Sequence, residues 1–335
     1  MPLYDRISLD GDDAELGPSD VAEDTLDLPP RERRRADRAA RRGNRQPLFR
    51  DSVENPEAPV ESALSDATDK DGVYRMSYKP ARYEGVWLTA SLRSFFEQEL
   101  IVDVLAQVKG GKEANVYRCQ AHPRLGVELL AAKVYRPRQF RNLRNDALYR
   151  EGRPLLTASG SAIPRRDRRS QLAVAKKTAF GAKLQHTSWL MHEYLTLDRL
   201  YRAGVAVPRP FASNENCILM TYYGDKQRAA PTLNEIRLPA RTAAPLFQDV
   251  LHNVDLMLGL GLVHGDLSAY NLLYWEGKLV LIDFPQGISS LANQSAPFIL
   301  RRDVQRICEY FARQGVTSDL ETIVTELSLR HDLRG

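Results

Sequence analysis

The chain has 335 residues and is 43% hydrophobic, enough to bury a sizeable core in two lobes or in one domain with tails. Its formal net charge is only +4 and its three cysteines stand far apart, which excludes a disulfide framework and a cysteine metal site. No stretch is apolar enough to cross a bilayer and the acidic start does not read as a signal peptide, so a soluble, cytoplasmic protein without membrane partners is expected.

Charge is unevenly placed along the first 73 residues. The chain is acidic up to Asp27, breaks at Pro29–Pro30, becomes dense in arginine from Arg31 to Arg50, and turns acidic again with Pro56 and Pro59. Few apolar side chains are available there to offset the ordering entropy, so a disordered N-terminal tail is expected over 1–73. The arginine run could neutralise RNA phosphates or form a solvated helix, and charge alone leaves both open.

Ordered structure is predicted to begin near Tyr83. Leu88, Leu92, Phe95, Phe96 and Leu100 recur at helical spacing, with Thr89 as the expected cap. A strand-like run, Val102 to Val108, follows. In KGGKEANVYRC, Gly110 and Gly111 then fall at a turn between strands, where bare backbone can approach a phosphate and Lys112 can supply charge. The segment lacks the third glycine of the usual kinase loop and matches no P-loop, so alone it reads as a plain β-turn.

The next predicted strand, Val127 to Tyr135, places Lys133 on the face of Leu129 and Ala131, and a lysine among apolar neighbours is seldom buried without a partner. Leu190, Glu193, Leu197 and Leu200 share one stripe of a predicted helix ending at Gly204, which puts a carboxylate on an apolar face. Pairing Lys133 with Glu193 resolves both misfits and would hold the ammonium where it can contact α- and β-phosphates. The plainer alternative is that Lys133 snorkels and Glu193 lies at the stripe edge. Between these elements the polar segment 137–185, with Arg165, Arg166, Arg168, Arg169, Lys176 and Lys177, is expected to be a flexible insertion. Its Ser159, Ser161, Ser170 and Thr178 could accept phosphate, although spacing singles out none.

A turn at Asn214–Glu215 leads into an apolar strand, Cys217 to Met220. Its exit is where a nucleotide-binding hinge would lie, with Met220 lining a base pocket and the backbone around Tyr222 bonding an adenine. Thr232 with Glu235 resembles a capping box, and Leu246, Val250, Val254 and Leu258 mark a core helix. That helix runs into LVHGDLSAYNLLYWEGKLVLID, Leu262 to Asp283. Asp266 can accept a hydroxyl proton there, and Asn271 and Asp283 offer hard oxygens suited to Mg²⁺ on nucleotide phosphates. Strands on either side of Glu276–Gly277 would bring Asn271 and Asp283 together across an antiparallel pair. The plain alternative is a surface hairpin with scattered acids. Past Asp283, Leu300, Val304, Ile307 and Phe311 mark a helix over Pro297 to Ala312, and Ser318 with Glu321 is expected to cap another.

Taken in order, GKEANVY at 111–117, AKVY at 132–135, Glu193, AGVAVPRP, HGDLSAYN at 264–271 and LIDFPQ at 281–286 resemble the RIO family of atypical serine/threonine protein kinases. The resemblance spans roughly Val86 to Gly315. It implies an α+β, bilobal kinase-like fold of the minimal RIO type, with a β-rich N-lobe and a mostly helical, truncated C-lobe. An N-terminal helix, N-lobe and hinge would occupy 74–226, and the reduced C-lobe 227–335. By the same resemblance Asp266 is the catalytic base, Asn271 and Asp283 hold the metal, Lys133 and Glu193 form the ion pair, and Lys112 belongs to the phosphate loop. ATP with Mg²⁺, or Mn²⁺ in its place, is the implied cofactor set. The implied partner is a protein substrate or the chain itself, with a part in small-subunit ribosome maturation; the Arg31–Arg50 run has no family counterpart, and by its charge it could reach ribosomal RNA or a pre-ribosomal particle.

The match is uneven. Lys109 and Gly110 stand where the family usually has a Ser-Thr pair, and IDFPQ resembles one RIO subfamily while GKEANVY and DLSAYN resemble another. Some family members act mainly as ATPases that phosphorylate their own metal-binding aspartate, a role that would fall on Asp283. The A-P-E motif that anchors ordinary activation segments is missing, so free peptides are expected to be poor substrates. Two alternatives are a small-molecule phosphotransferase of the aminoglycoside or choline kinase kind, which shares HGD with a following Asn and Asp, and an RNA- or ribosome-binding protein with a vestigial kinase site.

Overall fold

The computed structural model describes residues 74, 76–111, 113–136, 153–284 and 287–333. The first helix, α1 (Arg82–Glu97), begins ahead of its expected cap. Thr89 lies in its interior, because the Glu84 carboxylate already accepts the Ala81 N–H at 3.3 Å and closes the N-terminal turn. Leu88, Leu92 and Phe95 are fully buried on its inner face.

That face covers one side of a five-stranded sheet. Strands β1 (Ile101–Lys109), β2 (Ala114–Ala121), β3 (Leu129–Tyr135), β4 (Pro210–Ser213) and β5 (Cys217–Thr221) pair antiparallel in the order β1-β2-β3-β5-β4. Side chains alternate across the sheet, so Leu130, Ala132 and Val134 of β3 join α1 in one core, while Lys133 and Tyr135 face the other way. At the β1–β2 turn, a Cβ on Gly111 would come within 2.7 Å of the Ala114 carbonyl oxygen, so the turn closes tightly only around glycine.

The described part of the expected flexible insertion, 153–185, contains regular structure. Its latter part holds α2 (Arg168–Ala175) and the start of α3 (Ala179–Arg202). Asp167 accepts the Ser170 N–H at 3.2 Å and Thr178 accepts the Gly181 N–H at 3.1 Å, so each helix has a side-chain cap. Ser170 is buried and Thr178 caps α3, which gives both a structural role. Of the charged residues that suggested a polar loop, Arg168 and Arg169 open α2 while Arg165, Arg166, Lys176 and Lys177 flank it, and all six are exposed.

Helix α3 carries Leu190, Glu193, Leu197 and Leu200 on its buried stripe, as the spacing predicts. The second core builds on it with α4 (Ala240–Gly259), through Leu246, Val250, Val254 and Leu258, and with α5 (Ala296–Arg313), through Leu300, Val304, Ile307 and Phe311. The final helix, α6 (Leu320–Arg330), is capped by Asp319, one residue beyond the expected Ser318; its carboxylate accepts the Glu321 and Thr322 N–H groups. Thr232 and Glu235 do bond to each other, but they close only a single 3₁₀ turn, Leu233–Glu235. The described residues thus form an α+β fold with an antiparallel sheet in one half and helices in the other. None of their helices is long and apolar enough to cross a membrane.

Candidate active site

Between α4 and α5 the chain makes two short antiparallel pairs. β6 (Leu262–Val263) pairs with β9 (Ile288–Ser289), and β7 (Leu272–Trp275) pairs with β8 (Lys278–Leu281). The β7–β8 turn is a two-residue connection with positive φ at both positions, Glu276 at 48° and Gly277 at 81°, which suits the right-handed twist of the strands. This register aligns Leu272 with Leu281 and lets Ile282 N–H donate to the Asn271 carbonyl at 3.0 Å. Asn271 and Asp283 therefore leave the open end of one hairpin side by side. Asp283 itself has φ 71°, a left-handed conformation tolerated by Asp at a modest cost and often retained at functional sites.

Asp266 lies in the loop before this hairpin. The Asn271 side-chain amide donates to the Asp266 carbonyl at 2.9 Å and approaches its Oδ2 at 3.4 Å. Those contacts turn the Asn271 amide oxygen outward, where it accepts no hydrogen bond from the described residues. An outward amide oxygen beside a carboxylate 42% exposed, that of Asp283, is a donor pair that fits a divalent cation whose remaining ligands are phosphate oxygens and water. Among the described residues no cluster of three or more His, Cys, Asp or Glu competes as a self-contained metal cage.

The other side of the site is built by β3 and α3. The Lys133 ammonium bonds to Glu193 Oε1 at 2.5 Å and also to Asp283 Oδ1, and the Tyr135 hydroxyl donates to Glu193 Oε2 at 2.5 Å. Both Glu193 oxygens are thus engaged, and its side chain is only 5% exposed. Burial alone would lower the Lys133 pKa, but the Asp283 and Glu193 carboxylates outweigh it and hold the ammonium well above the usual lysine range. Burial would likewise raise the Asp283 pKa, yet Lys133, with a smaller push from His264 and Lys109, keeps its carboxyl below the ordinary value. Tyr135 is pushed well up by burial and by Glu193, so it remains a donor.

Beneath the loop, buried His264 accepts the Asp266 N–H on Nδ1 at 3.4 Å, which makes Nε2 the donor to the Ile282 carbonyl at 3.2 Å. Burial lowers its pKa although Asp303, Asp283 and Asp266 all oppose the shift, and the ring packs 4.6 Å from Phe284. The neutral ring therefore ties the loop to the strand that delivers Asp283.

Three side chains on α5 add supports that motif spacing did not single out. Asp303 accepts the Gly265 N–H at 2.8 Å, Arg302 donates to the Gly265 carbonyl at 2.5 Å, and Arg306 bonds to Asp266 Oδ1 at 2.8 Å. Burial raises the Asp303 pKa against the pull of His264 and Arg302. A carboxylate at 303, on the stripe of Leu300, Val304 and Ile307, was the one signal in sequence that could have revealed this support.

Of the other expected site residues, Gly110 and Gly111 lie at the β1–β2 turn, where Gly111 N–H donates weakly to Asn115 Oδ1 at 3.4 Å. Met220 sits on β5 opposite Ala131, and Tyr222 follows the strand with its ring near the Arg118 guanidinium. No described hydrogen bond or ion pair joins Met220 or Tyr222 to the Asp266 cluster. Lys112 and the Arg31–Arg50 run lie outside the described residues.

Comparison with known proteins identifies the family of the chain. A family model described as the RIO domain matches residues 161–323. The RIO-type serine/threonine-protein kinase Rio1 of Haloferax volcanii is 32% identical over 219 residues, covering 64% of this chain and 66% of that protein. The protein of the same name in Thermoplasma acidophilum is 30% identical over 135 residues, 40% of this chain and 69% of its own length. Serine/threonine-protein kinase RIO1 of Chaetomium thermophilum is 29% identical over 234 residues, 67% of this chain but only 42% of that protein. This chain thus spans just under two thirds of the Haloferax relative and less than half of the Chaetomium one. The order of the shared segments, the α+β architecture and these matches lead to one conclusion: the chain belongs to the RIO family.

Proposed function

We propose that the chain is an ATP-dependent RIO-type phosphotransferase that moves the γ-phosphoryl group of Mg-ATP to a serine or threonine of a protein, to itself, or to water. The observation that carries this reading is the convergence of Asp266, Asn271 and Asp283 at one hairpin mouth beside the Lys133–Glu193 pair. Asp266 takes the acceptor proton. Lys133, fixed by Glu193, holds the α- and β-phosphates, and the Gly110–Gly111 turn, with Lys112, covers them. Asn271 and Asp283 would hold the divalent cation, which when bound neutralises phosphate charge. The Met220 strand and the backbone at Tyr222 form the adenine side of the site. We place the protein in the cytoplasm, with a role in small-subunit ribosome maturation.

The test is the fate of label from γ-labelled ATP and Mg²⁺ in the whole protein, in Asp266→Ala and in Asp283→Ala. Acid-stable label indicates Ser/Thr transfer, alkali-labile label an acyl phosphate on Asp283, and released phosphate an ATPase. Asp266→Ala should lower each by about 100-fold or more, since general-base catalysis contributes about 10²–10⁴. Equal turnover in that variant would overturn the assignment. For the RNA partner, deleting residues 1–73 should leave ATP binding intact and make RNA binding weaker and less salt-dependent. An unchanged salt slope would count against the arginine run as the contact.

A further inference from the structure

Arg306 occupies an unusual place for a surface cation. Its guanidinium contacts the carboxylate assigned as base, Asp266, at 2.8 Å, through Nη1 alone, and both side chains are less than half exposed, 41% and 44%. The remaining guanidinium donors have no partner among the described residues. A half-exposed pair of this kind adds little stability, so holding the helix in place does not account for it. The neighbouring arginine is used differently: Arg302 is spent on the Gly265 carbonyl and on Asp303. Lys133 is likewise engaged, by Glu193 and Asp283. The loop position two residues past Asp266 is the neutral Ser268. Arg306 is therefore the cation beside the base that keeps donors to spare.

The position of the base constrains what those donors can reach. For Asp266 to take a proton, the acceptor hydroxyl must lie against its carboxylate, and the attacked phosphorus must lie about 3–3.5 Å beyond that hydroxyl. Asn271 approaches Oδ2, on the metal side, and Arg306 holds Oδ1. A planar guanidinium bonded to Oδ1 then has its other N–H groups within reach of the equatorial oxygens of the transferring group.

We propose that Arg306 contacts the γ-phosphoryl group and stabilises its charge during transfer, as a catalytic arginine supplied from α5. The proposal rests on the phosphoryl-transfer reading above. In the step, the bond from the acceptor oxygen to γ-phosphorus forms while the bond from γ-phosphorus to the β,γ-bridging oxygen breaks. The acceptor proton passes to Asp266 and the leaving oxygen keeps the electron pair on ADP. Arg306 exchanges no proton; it donates hydrogen bonds to the three outer oxygens as charge gathers on them.

The decisive comparison is calorimetric binding, in the presence of Mg²⁺, of ADP and of the imido analogue of ATP, to the full chain, Arg306→Ala and Arg306→Lys. Because only the analogue carries a γ-phosphoryl group, Arg306→Ala should lower its affinity about 10-fold and leave ADP within about two-fold, with Arg306→Lys in between. Turnover should fall about 100-fold or more in Arg306→Ala, the range found when one preorganised donor is removed. Equal effects on ADP and the analogue, no effect on either, or turnover at or above that of the unmodified protein would each overturn the proposal. Asp266→Asn run alongside separates the two readings: unmodified turnover there would refute the base assignment, while the ADP-to-analogue comparison at Arg306 would stand or fall by itself.

Discussion

Lys133 bridges two carboxylates, Glu193 and Asp283, whose like charges would otherwise repel, and its own side chain is 12% exposed. Removing it should leave Glu193 buried with only the Tyr135 hydroxyl as partner. Lys133→Met is therefore expected to cost about 3 kcal/mol in urea unfolding, the low end for breaking a buried pair because Tyr135 still donates. The double variant Lys133→Met with Glu193→Leu should lose less than the sum of the single changes; strict additivity would show that the two do not interact. His264 makes a different prediction. Its folded pKa lies below the unfolded value of about 6.5, so between those values the unfolded chain binds more protons and stability rises with pH. That contribution is complete above about 6.5 and is lost as pH falls toward the folded pKa, with a slope of at most about 1.4 kcal/mol per pH unit for one proton. His264→Asn should flatten the stability profile between pH 5 and 7, and an unaltered profile would contradict a neutral, buried ring.

Helix α5 acts on the Gly265–Asp266 loop as one element, since Arg302 donates to the Gly265 carbonyl, Asp303 accepts the Gly265 N–H and Arg306 donates to the Asp266 carboxylate from adjacent turns. Asp303→Ala leaves the buried Gly265 N–H without an acceptor and is expected to destabilise by about 2 kcal/mol. Amide exchange at Gly265 should accelerate more than exchange in the middle of α5, and uniform acceleration would mean global weakening instead. At the α2–α3 junction, a Cβ on Gly181 would lie 2.1 Å from the Ala173 carbonyl oxygen, so Gly181→Ala should push the two helices apart. Elements announced by their own residues were legible in sequence: the β7–β8 hairpin through Glu276–Gly277, and the Lys133–Glu193 pair through two charges on apolar faces. Helix α2 was not, because it is only eight residues long, its one buried residue is the polar Ser170, and charged residues open and flank it. The caps of α1 and α6 were misplaced because nearby carboxylates, Glu84 and Asp319, bind the free N–H groups in place of the hydroxyls. Arg306 escaped notice because its partner is distant in sequence and only the packing of α5 on the loop brings the two together.

Across the whole molecule, the candidate site draws Lys133 from the sheet, Glu193 from α3 and the remaining groups from the hairpin and its loop. A ligand that engages all of them should stabilise the fold by linkage, about 2.7 kcal/mol when present at 100 times its dissociation constant. Family membership and the order of motifs were readable from the chain itself, since both rest on local residue patterns; the supports from α5 depend on tertiary packing. The proposed function requires Asn271 and Asp283 to present their oxygens to one divalent cation next to a lysine-held nucleotide. Calorimetric titration of ADP with and without Mg²⁺ into the unmodified protein, Asn271→Ala and Asp283→Ala tests this most directly. Binding to the unmodified protein should tighten with Mg²⁺, and that gain should vanish in Asp283→Ala and shrink in Asn271→Ala. Full Mg²⁺ dependence persisting in both variants would contradict the account.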